Sequence, residues 1–266
     1  MTHPAYESLR QVTPFAAVLL QDNRGLMTLD GTNTWLLRAP GADEAIVVDP
    51  GESDEAHLAA VVAAAGRVAV ILLTHGHFDH SQAAPRLHEL TGAPVRALDP
   101  AHRIGAEGLA DGDVVPAAGL EVRVCATPGH TADSLSFLLD AHDGTPAAVL
   151  TGDTILGRGT TVVAYPDGNL GGYLASLRRL QALGDATVLP GHGPELPRVG
   201  EVAAAYLAHR EQRLEQVRAA VQRLGAGATP RAVVEAVYHD VDPALWTAAE
   251  WSVRAQLAYL DVQRES

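Results

Sequence analysis

Short apolar runs alternate with segments of helical period over roughly the first 195 residues, the pattern of an α/β domain. The runs at 32–37, 45–48, 68–73, 120–126, 135–139, 147–150 and 186–189 read as strands. Helices are expected over 54–65, 82–90 and 172–183. The first of these has Ser53 or Asp54 as its cap and Leu58, Val61 and Val62 on one face. From Arg198 onward the pattern is almost entirely helical, beginning with 201–224. Gly225-Ala226-Gly227 breaks it, and Thr229-Pro230 reads as an N-cap with proline in the first turn. Asp242-Pro243 opens a last helix that runs to residue 262. The expected division is therefore an α/β domain over 1–197 and a helical region over 198–266. No low-complexity linker separates them, so the second should pack on the first.

The ends of the apolar runs share a feature. Val48 leads to Asp49, Leu73 to Thr74-His75, Ala126 to Thr127-Pro128-Gly129-His130, Leu150 to Thr151-Gly152-Asp153, and Leu189 to Pro190-Gly191-His192. Loops at strand ends converge while the sheet stays rigid, so ligands bind there in α/β folds. There is also a faint internal symmetry: strand to Asp49, helix, strand to His75 resembles strand to Asp153, helix, strand to His192.

The densest chemistry is His75-Gly76-His77-Phe78-Asp79-His80, four metal-binding side chains within six residues. Imidazole and carboxylate suit borderline divalent cations such as zinc. A regular strand would place His80 opposite the other three, so a loop entering a helix fits better. Taken alone, the motif also reads as a histidine-rich surface turn. Adding His130, Asp153 and His192 brings the donors to seven, enough for two metals sharing a carboxylate.

The set His75-x-His77-x-Asp79-His80, His130, Asp153 and His192 resembles the full metal-binding pattern of the metallo-β-lactamase superfamily. The resemblance spans roughly residues 12–197 and implies an αββα sandwich, two mixed sheets faced by helices, with the site at one edge. It implies one zinc on His75, His77 and His130, a second on Asp79, His80 and His192, and Asp153 between them. Other divalent metals would suit the same donors. It further implies hydrolysis by a metal-bridging hydroxide, with Asp79 as the catalytic carboxylate that orients it. Gly31-Thr32-Asn33-Thr34-Trp35-Leu36, Val48-Asp49-Pro50-Gly51 and Tyr206-x-x-His209-Arg210 look like the subgroup of β-lactamase-like protein 2. That subgroup contains bacterial hydrolases, polyketide thioesterases and an endoribonuclease of single-stranded RNA. Its members carry a winged-helix-like C-terminal region, which 229–262 resembles, with little chain left after the last helix for a β wing.

Lesser candidates accompany the seven. Asp49 is expected to accept a ring N–H from a ligand histidine, with Thr74 and Thr151 in similar roles, or else simply to end a strand before Pro50-Gly51. Asn33 either faces the pocket or caps a turn. Arg158-Gly159-Thr160 forms an anion-binding loop or a plain turn, and Tyr165 follows it. His209 and Arg210 either line the substrate mouth or sit on an exposed helix face. Cys125 is expected as a small buried hydrophobe, and His3, His57, His88, His102, His142 and His239 as surface residues.

Composition narrows the function. The 266 residues carry a formal net charge of −13 with no run of Lys and Arg, which disfavours nucleic acid without excluding it. A single cysteine rules out an intrachain disulfide and fits a reducing compartment, hence the cytoplasm. No signal peptide or transmembrane segment is expected, and nothing in the sequence indicates an oligomeric state. The leading reading is a hydrolase of a small-molecule thioester, ester or lactone. The alternative is a metal-dependent endoribonuclease of single-stranded RNA. A non-catalytic metal-stabilised binding protein and an oxygen-using iron enzyme are the remaining readings.

Overall fold

Strands buried on both faces lose their alternation of polar and apolar residues, and here they build two stacked sheets. The computed structural model describes residues 6–141, 144, 147–225, 228–239 and 241–265. The first sheet runs in the order β1 (Arg10–Thr13), β2 (Ala16–Leu20), β3 (Asn33–Leu37), β4 (Glu44–Val48), β5 (Arg67–Leu72), β6 (Val95–Arg96). The second comprises β7 (Val114–Ala117), β8 (Leu120–Ala126), β9 (Leu135–Leu139), β10 (Ala148–Gly152) and β11 (Thr187–Pro190), with β11 and β7 at its edges. β4, β5 and β6 are parallel, as are β10 and β11, and the other pairs are antiparallel.

Alternate residues of each central strand enter different cores. Trp35, Leu37, Ile46 and Leu72 meet Val122, Phe137 and Leu150 between the sheets. Leu36, Val47 and Ile71 point the other way, onto Leu58 and Val61 of α1 (Glu55–Ala65) and Leu87 of α3 (Ala84–Thr91). The outer face of the second sheet, through Val149 and Val188, shares a core with α4 (Leu170–Gln181), α5 (Val199–Leu224), α6 (Pro230–Val237) and α7 (Trp246–Glu265). The layers are thus helix, sheet, sheet, helix, and the C-terminal helices are continuous with the last layer. Among the described residues no strand follows β11.

Four strands go beyond the sequence expectation: β1, β2, β6 and β7. The β2 run is apolar on both faces and so shows no period, β6 has only two residues, and β7 is an edge strand bearing Pro116. The helix expected over 82–90 is α3, with Pro85 in its first turn, and a further short helix, α2 (Phe78–Ser81), starts inside the ligand motif before it. His57 is not a surface residue. It is fully buried, with Nε2 2.9 Å from Thr34 Oγ1 and Nδ1 2.6 Å from Glu7 Oε2. His88 is half-buried against the Ala93 carbonyl and His239 is exposed, while His3, His142, Ala226 and Gly227 lie outside the described residues.

Candidate metal centre

Parallel strands joined by a helix end on the same side of a sheet. β4 and β5 deliver Asp49 and His75 to one edge of the sandwich, and β10 and β11 deliver Asp153 and His192 to the same edge. The two sheets are tied together there. Asn33 N donates to Gly191 O at 2.8 Å, and its side chain donates to the carbonyls of Pro190 (3.0 Å) and Gly193 (2.8 Å). Trp35 Nε1 also donates to Pro190 O, at 3.0 Å. Asn33 therefore fixes the His192 loop and does not face the pocket.

The seven donors converge in three overlapping groups: His75, His77 and His130; His75, His80 and Asp153; and Asp79, His80 and His192. Within the first, His77 Nδ1 lies 3.0 Å from both His75 Nε2 and His130 Nε2. Within the last, His192 Nε2 lies 3.2 Å from His80 Nε2 and 3.1 Å from Asp79 Oδ2. Zinc–nitrogen bonds of 2.0–2.1 Å in a tetrahedron put ligand atoms about 3.4 Å apart, so these spacings are those of atoms converging on a common cation. Asp153 faces both groups: Oδ1 is 3.4 Å from His80 Nε2 and from His192 Nε2, and Oδ2 is 3.7 Å from His130 Nε2. Its Oδ1 is buried without a hydrogen-bond partner. An orphaned carboxylate oxygen is costly unless a cation completes it.

Four of the five imidazoles are held from behind. His75 Nδ1 meets Thr74 Oγ1 at 3.1 Å, His80 Nδ1 meets Asp49 Oδ2 at 2.9 Å, His130 Nδ1 meets Val162 O at 2.6 Å, and His192 Nδ1 meets Gly31 O at 3.0 Å. With each Nδ1 engaged outward, Nε2 points inward, the arrangement that orients metal-binding imidazoles. Asp49 also accepts from Thr74 N (2.8 Å) and Thr74 Oγ1 (2.6 Å). The Thr151 hydroxyl, by contrast, donates to the Ile155 carbonyl at 2.8 Å rather than to a ligand ring.

The electrostatics divide the cluster. Burial and the neighbouring imidazoles push His75 well below the ordinary histidine range, and burial lowers His130 as well. Burial opposes charge on His80 too, but Asp79, Asp153 and Asp49 outweigh it and raise that pKa; Asp153 and Asp79 likewise raise His192. Asp79 sits at about 2, because the His80 and His192 charges overcome its burial. Asp79 and Asp153 thus place excess negative charge against His80 and His192, and a divalent cation held by the same donors would neutralise it. Donor chemistry, spacing and the orphaned oxygen all fit metal binding.

Gly191 is required by this crowding: a Cβ there would lie 2.7 Å from His80 Cε1 and 2.8 Å from Asp153 Oδ1. Gly191→Ala should leave the circular dichroism spectrum native and weaken metal binding roughly 10–100-fold, the effect of disturbing ligand orientation. A chelator competition reads this directly, and unchanged affinity would show that the turn has slack.

A groove of about 530 Å³ opens beside the cluster, walled by His77, Leu98, Asp99, His102, Asp133 and Asp167. His102 was expected at the surface as an isolated histidine. It lines this groove, its Nε2 only 2.5 Å from where a Cβ on Gly76 would stand. Nothing in its spacing to the other donors marks it. Thr160 and Tyr165 are exposed on the loop after Asp153, and Arg158 there pairs with Asp30. His209 is half-buried, and Arg210 is buried, donating to the Thr161 carbonyl, so it does not line a mouth. Cys125 is buried.

Residues 27–192 match the family model of the Metallo-beta-lactamase superfamily, and residues 229–263 that of the Beta-lactamase associated winged helix domain. The chain is 33% identical over 248 residues to a protein of Aspergillus fumigatus named Atrochrysone carboxyl ACP thioesterase, covering 85% of this chain and 74% of that one. It is 32% identical over 275 residues to the Beta-lactamase-like protein 2 homolog of Drosophila melanogaster, covering 96% of this chain and 90% of that one. A beta-lactamase domain protein of Burkholderia ambifaria has the same fold, with a TM-score of 0.81 at 25% identity over 99% of this chain and 91% of that one. The matched domain model and these near full-length relatives establish that the chain belongs to the metallo-β-lactamase superfamily.

Proposed function

We propose that this hydrolase acts on a small acyl thioester, ester or lactone, with two zinc ions in its seven-donor cluster. The convergence of His75, His77 and His130 on one side of Asp153, and of Asp79, His80 and His192 on the other, is the observation that carries the reading. A catalytic domain over 1–197 would hold the site and the helical region over 198–266 would back it. Divalent cations bound there lower the pKa of water towards neutrality and polarise a carbonyl oxygen.

The chain's own residues set the geometry. Asp79 is more exposed than Asp153, with 19% of its side chain accessible against 10%. The neighbouring imidazoles hold its carboxylate below the usual range despite its burial, so it favours accepting a hydrogen bond over keeping a proton. It would therefore orient the attacking water rather than hold its proton. The groove is of a size that takes a small ligand. Asp99, Asp133 and Asp167 on its walls repel a phosphodiester backbone and tolerate a neutral acyl group. The thioesterase name of the Aspergillus fumigatus relative favours a thioester among the acyl substrates.

Incubating zinc-loaded protein with an acyl thioester and with a fluorogenic single-stranded RNA tests the proposal. Thioester turnover is expected, reduced at least about 10²-fold in Asp79→Ala. RNA cleavage with the same dependence, and no thioester turnover, would overturn it in favour of an endoribonuclease.

A further inference from the structure

The chain between β10 and α4 has no regular secondary structure, yet Thr154, Ile155, Leu156, Thr161 and Val163 within it are buried. Buried backbone groups outside helices and sheets need other partners. Here side chains of the last helical layer supply them. Tyr173 Oη of α4 donates to Thr154 O at 2.8 Å. Tyr206 Oη of α5 accepts from Leu156 N (3.1 Å) and lies 3.2 Å from Leu156 O. Arg210 of α5 donates to Thr161 O and lies over the Tyr173 ring, 5.0 Å from its centroid. Ser252 Oγ of α7 accepts from Val163 N at 3.3 Å.

The same loop holds His130 from behind. His130 Nδ1 lies 2.6 Å from Val162 O and 3.2 Å from Thr161 Oγ1, and His130 O accepts from Ala164 N at 3.0 Å. The loop also begins at Asp153. One continuous chain of contacts therefore runs from α5 and α7, through residues 154–164, to a donor of the first cluster group.

We infer that the C-terminal helices are a working part of the metal centre: Tyr206, Arg210 and Ser252 clamp the 154–164 loop so that His130 presents Nε2 inward. Arg210 is the principal positioning residue, because the carbonyl it holds belongs to Thr161, whose hydroxyl meets His130. This inference rests on the metal-binding reading of the cluster. Arg213, one turn further along α5, serves as the contrast. It bonds Val237 O and stacks on Tyr238 at 4.4 Å, binding helix to helix without touching the loop.

The test is metal binding by the full chain, measured by titration with cobalt(II) and by chelator competition, for wild type, Arg210→Met, Thr161→Val, Ser252→Ala and Arg213→Met. Arg210→Met and Thr161→Val should each weaken one of the two bound ions roughly 10–100-fold and leave the other near wild type, the cost of removing an outer partner of a ligand. Ser252→Ala should do so more mildly. Arg213→Met should lower the melting temperature with both ions retained at wild-type affinity. Amide hydrogen exchange across 154–164 should quicken in Arg210→Met and not in Arg213→Met. Equal loss of melting temperature in both arginine variants, with both ions held as in wild type, would reduce Arg210 to a packing residue and overturn the inference. A wild type that binds no cobalt would instead sink the metal-binding reading itself.

Discussion

Asp153→Ala is expected to abolish hydrolysis and reduce the bound metal from two ions per chain to one or fewer, with the fold intact. Among the described residues, Asp153 is the one carboxylate placed against both donor groups, through Oδ1 to His80 and His192 and Oδ2 to His130. Without it the two cations would have no shared ligand and would repel each other across the same gap. Metal ions contribute several kcal/mol of charge stabilisation to such reactions, and each 1.4 kcal/mol is tenfold in rate, so a fall of about 10³-fold or more should follow. The sandwich core does not depend on Asp153, because the packing of Trp35, Leu72, Phe137 and Leu150 lies between the sheets. Elemental analysis beside a thioester assay checks the two outcomes together. Two retained ions with wild-type rate would remove Asp153 from the site.

A second large effect is expected at Asp49, and it should fall on stability as well as on activity. The carboxylate is buried and accepts from Thr74 N, Thr74 Oγ1 and His80 Nδ1. Asp49→Ala strands all three donors, a loss of about 3–5 kcal/mol when a buried charged partner is removed. For a chain of this size that is on the order of 10 °C in melting temperature. Asp49→Asn separates the two roles. Asparagine tolerates the backbone at φ +53° and fills the same space, so most of the stability should return. The amide carries no charge to hold the His80 ring, so metal affinity should stay roughly 10–100-fold down. Thermal melts and chelator competition on both variants read this. Full recovery of metal affinity in Asp49→Asn would show that shape, not charge, is what His80 requires.

The cluster was legible because its donors obey a local rule. His75, Asp153 and His192 each stand within three residues of a strand's last residue and His130 within four, and Asp49, which holds His80 from behind, directly follows β4. Apolar run followed by turn followed by donor is a signal visible in one dimension. The faint symmetry was also physical: β4–α1–β5 and β10–α4–β11 are both parallel crossovers whose strand ends meet at one edge. What escaped were roles that depend on contacts far along the chain, even at residues already singled out as candidates. Arg210 reaches Thr161 across 49 positions and Asn33 reaches Pro190 across 157, and no spacing announces either. His57 looked like a surface histidine because its helix is alanine-rich on every side, so no polar face distinguished it. His102 became a groove residue only once a short 3-10 turn, Pro100–His102, swung it beside Gly76. β2 escaped for the opposite reason: burial on both faces erased the alternation by which strands are read.

Titration of the metal-free chain with cobalt(II), followed through the visible d–d absorption, tests the central claim of a two-centre site most directly. Two equivalents should bind, with His130→Ala losing one ion and His192→Ala losing the other, since these donors stand in different groups. A single equivalent in the wild type, abolished by either substitution alone, would contradict a dinuclear site and leave one metal shared among the seven donors.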